Sequence, residues 1–361
     1  MKSATDIEKI DIKYILDNLK NEFKELSNSR VLLTGCAGFL GFYIVKAINT
    51  WNDMYPSNPI TLFACDNFVR GKPQWLNKLI NKNILLFEHN VIEKLPKDIC
   101  EINYIIHAAS IASPIFYRKN PIETMDANVI GLRNLLDYSL NNESIQSFLF
   151  FSSSEVYGDP DSKNIPTKED YWGNVSFTGP RACYDESKRY GETLCVNFFQ
   201  QYDVPVKIAR PFNNYGPGLK IDDKRVIPDI AKNIVQNKNI VLHSDGSPTR
   251  TFCYIADAII GYIKVLINGK NSAPYNIGIE EPEISIKDLA STMIKIAEKN
   301  FDYSGILQFK NNNDKNYLID NPNRRCPSIK KARSDIGYDP KITLEEGLYR
   351  CLNWYYNSVD Y

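Results

Sequence analysis

From Arg30 onward, short apolar runs alternate with longer stretches whose apolar residues recur at helical spacing. The runs are RVLLTG, ITLFACD, ILLFEHNV, YIIHAAS and SFLFFSS, with helical patterns over 42–51 and 129–138. Alternation of this kind predicts βαβ units, and strands as continuously apolar as SFLFF suit a parallel sheet covered on both faces by helices. Ahead of it, residues 1–29 read as an amphipathic helical extension, with Ile7, Ile10, Ile12, Ile15, Leu16 and Leu19 along one side. Past about residue 205 the turn residues thicken (RPFNNYGPG, HSDGSPTR, KNNNDKN) and the alternation becomes irregular. The reading is therefore an α/β protein with a Rossmann-type doubly wound parallel sheet: a helical extension over 1–29, the sheet domain over 30–205, and a smaller domain over 206–361, interleaved with returning sheet elements. The asparagine-rich stretch 311–316 is expected to be a surface loop.

Composition narrows the function. The 361 residues are 43% hydrophobic, enough for a large core. Lysine plus arginine and aspartate plus glutamate stand at 43 each, so no net field draws the chain to nucleic acid or to a membrane. The first residues lack the apolar core of a signal peptide and no later segment has the length of a membrane helix, so a cytoplasmic protein is expected. Eight cysteines are scattered singly, without CxxC pairs or zinc spacing. They are read as buried free thiols, with no metal site.

Four features carry chemistry. Gly35, Gly38 and Gly41 close the first strand and open a helix, where missing side chains permit a tight turn and let backbone N–H groups, with those of Phe39 and Leu40, approach a pyrophosphate. Asp66 ends the next strand, where a carboxylate can accept from ribose hydroxyls and repel a 2′-phosphate; this favours NAD, although Arg70 close by could accommodate that phosphate. Tyr184 and Lys188 stand one helical turn apart, so an ammonium can favour the phenolate of a proton-accepting tyrosine. Ser152, Ser153 and Ser154, followed by Glu155, stand at the carboxyl end of a buried strand, where open α/β sheets bind ligands.

Taken in order, GCAGFLG, ACDNFVRG, HAAS followed by SP, SSSEVYGD, YDESK, RPFNNYGPG, DGSPTRTFCYIAD and YNIG resemble the extended short-chain dehydrogenases over about residues 30–355. Within them, SSSEVYGDP, EDYWGNV, GPRACYDESKRYGETLC and NPNRRCPSIKKARSDIGYDP are most similar to the UDP-glucuronate decarboxylases. The resemblance implies Ser153, Tyr184 and Lys188 as catalytic trio with Glu155 beside the reacting carbons. It implies NAD on Gly35, Gly38, Phe39, Leu40, Gly41, Asp66, Asn67, Arg70, Ala108 and Ala109, together with Tyr184 and Lys188. The nucleotide-sugar would lie on Ser110, Ser154, Asn213, Arg225, Arg250 and Arg324, or Arg325 beside it. The implied reaction oxidises C4, loses CO₂ from the resulting β-keto acid and reduces C4 again. A homodimer through helices around 128–140 and 184–202 is also implied.

The sequence departs from that pattern at four positions: Ser153 for the usual threonine, Asn90 for aspartate, Asp126 for lysine and Gly218 for arginine. Asp126 would oppose a glucuronate carboxylate and suits a neutral hexose. A nucleotide-sugar 4,6-dehydratase therefore stays open, though Ser154 stands where dehydratases carry a stronger acid. So does a 4-epimerase, and so, from a different class, does a non-catalytic dinucleotide sensor.

Overall fold

The computed structural model describes residues 2–310, 319 and 321–358. The asparagine-rich stretch lies outside the described residues. Six strands, β1 (Arg30–Thr34), β2 (Thr61–Asp66), β3 (Ile84–Glu88), β4 (Tyr104–His107), β5 (Ser147–Phe151) and β6 (Val206–Pro211), join a seventh, Pro274–Ile277, in one sheet. All pairings are parallel, and the order is Pro274–Ile277, β6, β5, β4, β1, β2, β3. The chain thus winds outward from β1 through β2 and β3, then returns to lay β4 on the other side of β1. The loops after β1 and β4 leave in opposite directions, opening the crevice where such sheets take ligands. Two strands from beyond residue 205 complete this sheet.

Every residue of β5 is buried, as its unbroken apolar run requires. Below the sheet, helix α3 (Phe39–Met54) buries Phe42, Tyr43, Val45 and Trp51, whereas the other face is covered by Leu132, Leu135 and Leu136 together with Cys195 and Phe198. The 129–138 pattern becomes a helix at Leu132–Leu140, entered through a π-helical turn, Ala127–Gly131.

The N-terminal extension forms two helices, α1 (Ala4–Asn18) and α2 (Lys20–Leu26). Ser3 and Asp6 make a reciprocal capping box at the start of α1. Ile7, Ile12, Ile15, Leu16 and Leu19 are buried against the chain's own core, and α1 packs on α3 and on the helices Ile255–Asn268 and Leu344–Asn357. The cysteines are unpaired; Cys100 is exposed and Cys183 half-buried, so the expectation of burial fails at those two. Cys100 lies in the loop before β4, where no packed face covers it. No helix among the described residues is long and apolar enough to cross a membrane.

Candidate active site

At the crevice between β1 and β4 the chain encloses a cavity of about 1680 Å³. Ordinary single-ligand pockets reach ~1000 Å³, so this one has room for two large ligands side by side. Gly35, Gly38, Phe39, Leu40, Asp66, Asn67, Arg70, Ala108 and Ala109 line it, with Ser110, Ser153, Ser154, Glu155, Tyr184, Lys188, Asn213, Arg225 and Arg250. Gly41 does not line it; a Cβ there would come within 2.3 Å of Cys36 O, so this glycine seats α3 against the turn.

The dinucleotide half is shaped by backbone. Gly35 has a φ of 77°, and a Cβ on it would lie 2.8 Å from the Ala108 carbonyl carbon and the Ala109 nitrogen, so only glycine lets the turn after β1 approach the strand end of β4. Gly38 begins α3 with no side-chain cap, leaving the first helical amides to the cavity. These donors suit a pyrophosphate. Asp66 accepts from the Ala37 and Phe68 amides, which fix its carboxylate at the cavity wall. Burial nonetheless pushes the carboxyl up from its ordinary value. Arg70 is engaged elsewhere: it pairs with Asp223 at 2.9 Å and lies 4.6 Å above the Phe116 ring. A guanidinium so committed is poorly placed to receive a 2′-phosphate, and the donor set fits NAD.

The reacting half centres on Tyr184, which the helix Ala182–Tyr202 presents with Lys188 one turn later. Tyr184 is buried and stacks on Tyr117, ring centroids 5.0 Å apart and planes 11° from parallel. Burial pushes the phenol up to about 12, against a lowering hydrogen bond from Ser153. Lys188 donates to Phe151 O at 2.8 Å with its ammonium 5.8 Å from the Tyr184 ring centroid, and burial brings it down to about 7. Of the serine run, Ser152 turns away to Glu192, itself paired with Arg210, so Ser153 is the hydroxyl at the tyrosine. Ser110 lines the cavity, and its Oγ is buried there without a hydrogen-bond partner among the described residues.

Glu155 sits between two guanidiniums, Arg181 at 2.5 Å and Arg325 at 2.7 Å. Burial would raise its carboxyl, but Arg181, Arg325 and Arg250 outweigh it and hold the group at about 2. Arg325 also donates to Ser154 Oγ and Gly158 O. Among the described residues Arg250 donates to neutral acceptors, the carbonyls of Thr249, Pro322 and Asn323 and the Asn321 side chain. Burial and the neighbouring Arg325 bring it down to about 9, against the raising charge of Glu155. Asn213, with φ 37°, donates to Thr251 O and so anchors the loop carrying Arg250. Asp126 ends the helix Pro121–Asp126 and lines the same cavity.

One expected ligand lies elsewhere. Arg324 is exposed and bonds bidentately to Glu283 beside a separate shallow groove, and its neighbour Arg325 is the one that reaches Glu155 from behind the cavity wall. Arg181 and Tyr117 were not singled out by sequence. Arg181 carried a signal, since it precedes Tyr184 by three residues, one helical turn; Tyr117, in the short helix Pro114–Lys119 after β4, carried none. No group of three or more His, Cys, Asp or Glu among the described residues could hold a metal ion.

Residues 31–278 match the sequence profile of the NAD dependent epimerase/dehydratase family. A UDP-glucuronic acid decarboxylase 6 of Arabidopsis thaliana is 36% identical over 91% of this chain and 90% of its own length. A UDP-glucuronic acid decarboxylase 2 of the same plant is 35% identical over 88% of this chain, which spans 66% of it. Among solved structures, a dTDP-glucose 4,6-dehydratase from Streptomyces venezuelae with NAD bound superposes with a TM-score of 0.76 at 21% identity, covering 90% of this chain and 96% of that one. A UDP-glucuronic acid 4-epimerase from Bacillus cereus, also in complex with NAD, gives 0.72 at 23%, over 90% and 98%.

Proposed function

Because the chain belongs to the NAD dependent epimerase/dehydratase family, we propose that it is an NAD-dependent enzyme that decarboxylates UDP-glucuronate by way of a 4-keto sugar. Bound in the crevice, NAD supplies the acceptor and later the donor of the C4 hydride. The glycine turn, the α3 amides and Asp66 would hold it. Tyr184 takes the C4 hydroxyl proton while Ser153 orients that oxygen, and Lys188 lowers the cost of the phenolate. The C4 ketone then lies β to the C6 carboxylate, and such an acid loses CO₂ readily.

The observation that carries the reading is Glu155. A 4,6-dehydratase needs a group that still holds a proton near neutral pH to release a hydroxyl. A carboxyl held at about 2 by Arg181, Arg325 and Arg250 has none to give. Ser154 accepts from Arg325 and is no substitute. Conversely, Arg250, whose hydrogen bonds among the described residues all go to neutral groups, favours a substrate that brings its own carboxylate. Relatives called UDP-glucuronic acid decarboxylase over most of this chain support the same choice. Asp126 supports a second reading, a neutral nucleotide-hexose converted by a dehydratase or 4-epimerase.

The test is incubation of the protein with NAD and UDP-glucuronate while product mass is followed. Loss of about 44 mass units without accumulation of NADH establishes the decarboxylase. No reaction, with turnover of a neutral nucleotide-hexose instead, establishes the second reading: loss of water marks a dehydratase, and unchanged mass with a new sugar a 4-epimerase. The enzyme acts as a homodimer through the helical face argued below, and its place is the cytoplasm.

A further inference from the structure

The segment 219–225 is tied to two other walls of the same cavity, and the ties converge on one buried carboxylate. Asp223 is 1% exposed. It accepts from Arg70 at 2.9 Å, on the loop after β2, and from Arg225 on its own segment. Its carbonyl accepts from Ser113 Oγ at 2.8 Å, on the stretch after β4. Lys220 donates to the Arg70 carbonyl at 2.6 Å, Arg70 reaches Asp222 at 3.8 Å, and Tyr355 donates to Leu219 O at 2.7 Å. The dinucleotide turn, Asp66 and Tyr184 open onto the cavity these segments wall.

We propose that the Arg70–Asp223–Arg225 bridge is a strap that retains the dinucleotide through turnover, with Arg70 and Asp223 as positioning residues that act through the wall. The inference rests on the internal-redox reading. In such a reaction the sugar is oxidised and then reduced at the same carbon, and cofactor escaping between the two steps would strand the ketone. The bridge joins the dinucleotide side to the sugar side by charge, and a half-exposed arginine against a buried carboxylate can open without unfolding the core. Arg70, read from sequence as a cofactor contact, acts here through Asp223 instead.

The experiment measures NADH dissociation from the full-length protein, by the loss of bound-NADH fluorescence on chasing with excess NAD. Arg70→Ala and Asp223→Asn are each expected to speed dissociation about tenfold, and the double variant no more than either alone, since both break one bridge. Arg70→Lys is expected to restore most of the retention. Additive single effects would show that Arg70 holds the dinucleotide by a contact of its own and would overturn the strap, as would unchanged rates. Arg70 lies at the surface, so its variants remain informative if Asp223→Asn does not fold. A wild-type protein inactive on UDP-glucuronate would sink the decarboxylase reading yet leave these dissociation rates measurable.

Discussion

Tyr184 and Lys188 have their ordinary proton affinities moved in directions that oppose catalysis in the absence of ligand, and each shift has a measurable consequence. The phenol is raised to about 12 because burial disfavours the anion. In the proposed mechanism its hydroxyl accepts the sugar proton, so Tyr184→Phe should cut turnover by a factor of about 10²–10⁴. Titration with NAD should show nearly unchanged affinity, because the stacking ring remains on Tyr117; undiminished turnover would remove the tyrosine from the mechanism. For Lys188 the folded value is about 7 against ~10.4 in the unfolded chain. Below pH 7 both states carry the proton, and the fold bears the full cost of burying it. Between 7 and ~10.4 the unfolded chain holds a proton that the folded one has shed, so stability rises with pH. Lys188→Met should therefore gain most over the wild type in melting temperature at pH 6.5, and the difference should shrink steadily towards pH 10 in cofactor-free protein. A difference independent of pH would contradict the buried-ammonium account.

Elements differ in how much of their role their own sequence carries. The strand–turn–helix at Gly35–Gly41 was legible because each glycine answers a local backbone demand, and Tyr184 and Lys188 were legible because four residues is one helical turn. The parity of a two-residue strand was not. Arg324 and Arg325 form such a strand against Thr249–Arg250, and successive side chains on a strand point oppositely. Only the pairing decides that Arg325 is 3% exposed and turns in to Glu155 while Arg324 faces out. Helix α1 hid its most constrained residue for a related reason. Its apolar seam was plain, but Asp11, a polar letter between isoleucines, is 0% exposed within that seam. It pairs with Arg350 at 2.8 Å and accepts from Tyr43 on α3 and Tyr254 beside the Arg250 strand, partners distant in sequence that no periodicity reveals. Removing one member of a buried ion pair typically costs ~3–5 kcal/mol, because the partner is left without compensation. Asp11→Ala should lower stability by about that amount, read as an earlier urea midpoint with an unchanged slope. A loss of only a few tenths would mean that α1 merely lies on the domain.

At the scale of the whole molecule, one face is apolar and uncovered among the described residues. Ile122, Met125 and Ile130 on the 121–140 stretch are 63%, 41% and 45% exposed, and Tyr190 and Tyr202 on the helix Ala182–Tyr202 are 52% and 45% exposed. The two stretches pack side by side, with Arg133 over Phe198 at 5.1 Å, so these residues form one surface. Monomers rarely leave such a contiguous patch to water, and a stable dimer needs ~800 Å² from each partner, which two helices can supply. Ile130→Glu combined with Tyr190→Glu should place uncompensated charges on both helices and halve the mass measured by light scattering. Every residue assigned to the site comes from a single chain, and Tyr184 and Lys188 sit on the first turns of a helix whose remaining length is clamped by β6 and the Leu132–Leu140 helix. The separated chains should therefore still bind NAD and turn over, within about tenfold of the dimer. Turnover lost altogether while the fold persists would show that the partner supplies something to the site that one chain does not contain; an unchanged dimer mass would place the contact on another face, and a wild type of monomer mass would overturn the dimer.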